Sequence, residues 1–132
     1  MKQKLLIIIV FSFIVLLLYY FSLQRAISID YDESYYSNFK VENDKVYINC
    51  NILIKNPNNA GSMIELAGMF DNDVKNGLLK KSLLTGYSTD CETTTFNLKK
   101  GDNWIEVVFI GDYAGKSQKY DRLLPEIRIS EL

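Results

Sequence analysis

The sequence predicts an all-β domain, an antiparallel sandwich of about seven strands, carried behind one N-terminal transmembrane helix. Three observations predict it. Leu5 to Leu23 runs for nineteen residues without a charge. From Phe39 onward the apolar residues recur with a period of two, the alternation of a sheet with one buried face. Gly, Pro, Asn and Asp then interrupt that alternation roughly every 8–15 residues, as short strands that fold back on one another require.

The uncharged run comes first. At about 1.5 Å per residue, a helix of this length crosses a hydrocarbon core ~30 Å thick. A lone segment in lipid must satisfy its own backbone hydrogen bonds, which overrides the weak helix preference of its Ile and Val residues. Tyr19, Tyr20 and Phe21 close the run, where amphipathic rings favour the headgroup layer. Lys2 and Lys4 precede it, while Asp30, Asp32 and Glu33 follow Arg25 beyond it. Basic residues are retained in the cytoplasm, so residues 1–4 are expected as a cytoplasmic stub and the C-terminal domain as extracytoplasmic. The run exceeds the roughly 7–15 apolar residues of a cleaved signal peptide and no A-x-A site follows, so residues 5–23 read as an uncleaved anchor. It holds no G-x-x-x-G pair and no ionisable residue, and so indicates neither a helix dimer nor an ion path.

Residues 24–38 read as a juxtamembrane spacer. Asp30, Tyr31, Asp32, Glu33, Ser34, Tyr35, Tyr36 and Ser37 form an acidic and aromatic cluster with no sustained period. The domain proper is expected over 39–132. Phe39 and Val41 suggest a short strand, Glu42 to Lys45 a turn, and Val46 to Lys55 a long strand. In that strand Val46, Ile48, Cys50, Ile52 and Ile54 face one way and Tyr47, Asn49, Asn51 and Lys55 the other, with Leu53 the exception. Asn56-Pro57-Asn58-Asn59-Ala60-Gly61 is turn chemistry. Ser62 to Phe70 resumes as a strand with Ile64, Leu66, Gly68 and Phe70 on one face. Leu79 to Tyr87, bracketed by Gly77 and Gly86, reads as a strand or strand pair. Thr93 to Leu98 and Trp104 to Ile110 flank the turn Lys99-Lys100-Gly101-Asp102-Asn103. Leu123 to Ile129 closes the domain, with Pro125 tolerated near its start. Trp104, the first residue after a turn, is expected to cap the core, the alternative being an exposed interaction anchor.

Cys50 and Cys91 both fall in the part expected outside the cytoplasm, where the thiols of a small domain are commonly bridged. A bridge between them would close a loop of about 40 residues and add roughly 3–4 kcal/mol in the chain-entropy account. The alternative is two free cysteines.

A resemblance rests on two of these stretches. Phe96 to Val107, followed by Gly111-Asp112-Tyr113, resembles the penultimate hairpin of immunoglobulin-like or fibronectin-III-like exported modules. The Asn56-Pro57-Asn58 turn after a long hydrophobic strand is similar to theirs as well. The resemblance covers about Val46 to Leu132. It implies a sandwich with adhesive or scaffolding uses and carries over no catalytic residue.

Function is approached mainly by exclusion. The chain has no histidine, which removes Ser-His-Asp and Cys-His catalysis and the usual zinc-hydrolase motifs. No C-x-x-C, G-x-G-x-x-G or P-loop occurs, so no cofactor is expected. Asp30, Asp32 and Glu33, or Asp71 with Asp73, could offer oxygen ligands to Ca²⁺, though neither run has a full EF-hand loop. With Lys2 and Lys4 set aside from 15 basic and 16 acidic residues, the remainder is net −3, which gives no electrostatic footprint for nucleic acid. The expectation is a non-enzymatic protein-binding module at a bacterial membrane, an accessory subunit of an envelope complex. The alternatives are an immunity-type protein that neutralises an exported toxin, and a structural or glycan-binding module with exposed aromatics on one sheet face. Tyr113, Lys116 and Tyr120, on the last polar loop, are the expected partner-binding residues.

Overall fold

The computed structural model describes residues 2–24, 26–117 and 122–132. Among them lie two helices, α1 (Lys2–Gln24) and α2 (Asp71–Lys75). The strands are β1 (Ser28–Glu42), β2 (Lys45–Asn56), β3 (Ser62–Met69), β4 (Leu83–Tyr87), β5 (Thr95–Leu98), β6 (Gly101–Asp112) and β7 (Glu126–Glu131). α1 is long and apolar enough to span a membrane, and none of its span is buried against the rest of the chain. Tyr19 and Tyr20 are exposed on it, and Phe21 falls in its last turn.

The seven strands form one curled antiparallel sheet in the order β1-β2-β6-β4-β3-β5, with β7 paired to β3. β4 makes the curl: Gly86 and Tyr87 pair with Phe109 and Val108 of β6, while Leu83 to Thr85 pair with β3. Little room is left there. A Cβ on Gly86 would stand 2.6 Å from a Val107 methyl and 3.2 Å from the Leu66 carbonyl oxygen, so only glycine lets β6 and β3 close on β4 this tightly.

The predicted inward faces of β2 and β3 are observed. Val46, Ile48, Cys50, Ile52 and Ile54, with Ile64, Leu66 and Phe70, are buried in one core that also takes Leu78, Leu79, Leu84, Leu98, Val107, Phe109 and Ile127. The β1–β2 turn follows its chemistry too. Asn43 and Asp44 both adopt positive φ, as a two-residue hairpin loop demands. At the opposite end of the same strands, Asn103 fixes the β5–β6 turn: its side-chain amide donates to the Lys99 and Gly101 carbonyls, and its oxygen accepts the Lys99 N–H.

Two expectations are corrected here. Residues 28–38 are not a spacer: they belong to β1, which pairs with β2 from Ser28 onward. The cluster hides a bulge. Asp30 pairs with Leu53 and Tyr35 with Asn51, so Tyr31 to Ser34 stand opposite Ile52 alone. The insertion is held by its own side chains. Asp30 Oδ1 accepts the Asp32 and Glu33 N–H groups, and the Glu33 contact leads in holding that carboxyl below its ordinary range. Ser34 Oγ donates to the Asp30 carbonyl and accepts the Leu53 N–H at 2.9 Å, standing in for a ladder bond. That hydroxyl is worth about 1–3 kcal/mol, because without it a buried N–H would be left unsatisfied. The displaced Tyr31 hydroxyl reaches β7, donating to the Ile127 carbonyl and accepting the Ile127 N–H. The second correction concerns Leu79 to Tyr87: only Leu83 to Tyr87 is a strand, β4, while Leu79 is buried with Leu78 ahead of it, outside any strand.

Candidate functional site

The end of the sheet away from Ser28 gathers the connections: the Asn43–Asp44 turn, α2 with the chain up to Ser82, and residues 113–117 and 122–125. Backbone bonds tie them into one surface. Tyr113 N–H donates to Asp44 O, Ala114 N–H to Leu78 O, Lys116 N–H to Gly77 O and Lys80 N–H to Asp112 O. Lys45 and Asp112 add an exposed ion pair beside them.

Within this surface lies a cleft of about 440 Å³, walled by α2 and the chain entering β7. Phe70, Leu123, Leu124 and Pro125 give it apolar walls, and Asp71, Asn72, Asn76 and Glu126 a polar rim. At its base Arg122 Nε donates to Asp73 Oδ1 at 3.2 Å, with side chains only 6 % and 9 % exposed. The guanidinium also lies on the Phe39 ring, 3.7 Å from its centroid. Desolvation pushes the Asp73 carboxyl up, and the Arg122 hydrogen bond and charge pull it back only in part. Tyr36 beside it is raised as well, chiefly by burial. The cation therefore joins three elements, β1 through Phe39, α2 through Asp73 and the chain entering β7, at the floor of the cleft.

The expected partner-binding residues fare differently. Tyr113 is half-buried and packs against the core, so it is a support for the loop rather than a free anchor. Lys116 is exposed. Tyr120 lies outside the described residues. Leu123, not singled out from the sequence, is 88 % exposed at the cleft rim.

Of the two cysteine readings, the structure carries the second, two free thiols. Cys50 is 1 % exposed on the core face of β2, while Cys91 is exposed in the turn after β4 with φ +62°, and both are free thiols. Burial pushes the Cys50 thiol up to about 12. A thiol-specific reagent at neutral pH should therefore modify one cysteine per native chain and two after denaturation. Unlabelled native protein that yields two thiols only after reduction would establish a bridge instead.

Two of the oxygen-ligand candidates are already engaged. Asp30 Oδ2 lies 3.3 Å from Lys55 Nζ while its other oxygen serves the bulge, and Asp73 faces Arg122. Among the described residues no group of three or more His, Cys, Asp or Glu side chains is placed to hold a metal ion.

Trp104 corrects a third expectation. It does not cap the core: it stands 57 % exposed on the outer face of β6, with the Tyr35 ring centroid 6.5 Å away and Leu53 buried beneath. Strand parity explains it, because Asn103, Val107 and Phe109 face inward and the even-numbered position points out. Comparison of the chain with family models, with curated proteins and with solved structures returns no match.

Proposed function

We propose that the chain is a membrane-anchored, extracytoplasmic protein-binding module, an accessory subunit that meets its partner through the end of the sheet bearing the Asp73–Arg122 cleft. In this reading α1 is a single-pass anchor with its N-terminus in the cytoplasm. The curled sheet is an immunoglobulin-like sandwich, with β1-β2-β6 and β3-β5-β7 as its two layers and β4 between them. The observation that carries the reading is the cleft itself: α2, 113–117 and 122–126 converge on a surface at the opposite end from Ser28, where the anchor joins. Loops held by a rigid scaffold are where such folds place recognition. The mixed lining, apolar walls with a polar rim, is that of a protein contact.

The test is site-specific photo-crosslinking of the full chain in native membranes, with the photoreactive residue at Leu123 or at Lys99. One dominant adduct from Leu123 that is absent from Lys99 supports the reading. Identical adduct patterns from both positions, or none from Leu123, would remove it.

A further inference from the structure

On that membrane-anchored reading, we infer a second contact surface, at the other end of the sheet. Trp104 and Tyr35 form a patch that seats in the headgroup layer of the bilayer that α1 enters, so the domain leans on the membrane rather than standing clear of it.

Chain length sets the reach. Four Cα steps separate Gln24 at the end of α1 from Ser28 at the start of β1, at most about 14 Å of extended chain. Asp30, Leu53 and Trp104 lie in one cross-strand row, two residues further along β1, or about 7 Å. Trp104 lies two strands across from Asp30, about 10 Å over the sheet, so the patch is held within about 30 Å of the end of the helix along that path. The headgroup layer adds about 5–8 Å on each side of the core, and a tether this short lets a tilted domain lay the patch on that layer.

The chemistry of the patch fits that layer. Trp and Tyr prefer the interface because an apolar ring and a polar N–H or O–H are satisfied together there. Both rings are more than half exposed, and they lie on a sheet face rather than on a mobile tip. Lys99 and Lys100 stand exposed on the adjoining turn, which Asn103 and Asn56 hold in shape by hydrogen bonds to Lys99 O. Long lysine side chains reach phosphates while their stems lie along the apolar layer. The exposed aromatic pair would equally suit a sugar ring. Its closeness to the anchor favours lipid.

Trp104 is the only tryptophan in the chain, so the unsubstituted protein carries its own reporter. The full chain is reconstituted in phosphatidylcholine vesicles, with or without brominated acyl chains, and recovered by flotation. Expected are bromolipid quenching of Trp104 and at least a threefold lower iodide-quenching constant than that of a Trp104→Phe, Leu123→Trp chain in the same vesicles. Equal iodide quenching of the two reporters in floated vesicles, without a bromolipid effect, overturns the inference while leaving the anchor intact. Failure to float overturns the anchored reading and this inference with it. Shielding of Trp104 only when soluble envelope-glycan fragments are added also overturns the inference, in favour of a glycan site.

Discussion

Replacing Arg122 by Met should cost the domain about 3–5 kcal/mol near neutral pH, the penalty for stripping one partner from a buried ion pair. In a domain of this size that lowers the melting temperature by more than about 12 °C. The loss should also depend on pH with a definite sign. The Asp73 carboxyl is already raised in the folded chain, so the folded state holds its proton more tightly than the unfolded state does. Its contribution is fully present below the unfolded value of 3.8 and is lost as pH rises through the folded one. Without Arg122 the two influences that lower the folded value vanish, and that value climbs. The deficit of the variant should therefore be greatest near pH 7 and shrink as pH falls, because proton uptake by Asp73 relieves the buried charge. Melting curves of both chains between roughly pH 4.5 and 7.5 read this directly. A deficit that does not change with pH would mean that the guanidinium acts through its stacking on Phe39 rather than through its charge.

Phe109→Ala should cost a comparable 3–5 kcal/mol, this time without pH dependence. The ring is fully buried and meets Phe70 edge to face at a centroid distance of 5.2 Å. Its atoms lie 3.0 and 3.2 Å from where a Cβ on Gly68 would be, so β3 approaches the ring as closely as a glycine permits. Phe109 also pairs in register with Ile48 of β2 and Gly86 of β4. One side chain thus fills the inside of the curl where four strands meet, and its removal leaves a cavity that stiff strands cannot close. Phe109→Leu, which refills much of the volume, should recover most of the loss. A cost below about 2 kcal/mol for the alanine variant would show that the strands collapse onto the space instead.

How much was legible in the sequence follows from where its physics is local. The inward face of β2, from Val46 to Ile54, was readable because its core-facing residues alternate with half-buried ones and only Leu53 breaks the pattern. Trp104 was misread although the signal was there: it shares no parity with Val107 and Phe109, which face the core, but its size argued misleadingly for burial. β1 was hidden because Tyr31 to Ser34 stand against one residue of β2, a net insertion of three that erases the period. The Asp73–Arg122 pair lies 49 residues apart, and nothing local to either residue announces the other. Cys50 and Cys91 offered a bridge on composition alone, and the turn that carries Cys91 faces solvent, away from the core where Cys50 sits.

The membership of β1 in the sheet bears on any shortened form of this domain. A chain beginning at Phe39 would lack most of the ladder that protects β2, and it would expose the unpaired backbone of residues 49–55 next to the apolar side chains of Ile52, Leu53 and Ile54. A freed hydrophobic edge of that kind invites edge-to-edge aggregation. Cleavage between Gln24 and Ser28 would release an intact sheet, whereas cleavage ten residues later would release a sticky one. The few residues just after the helix thus separate a clean cut from misfolding.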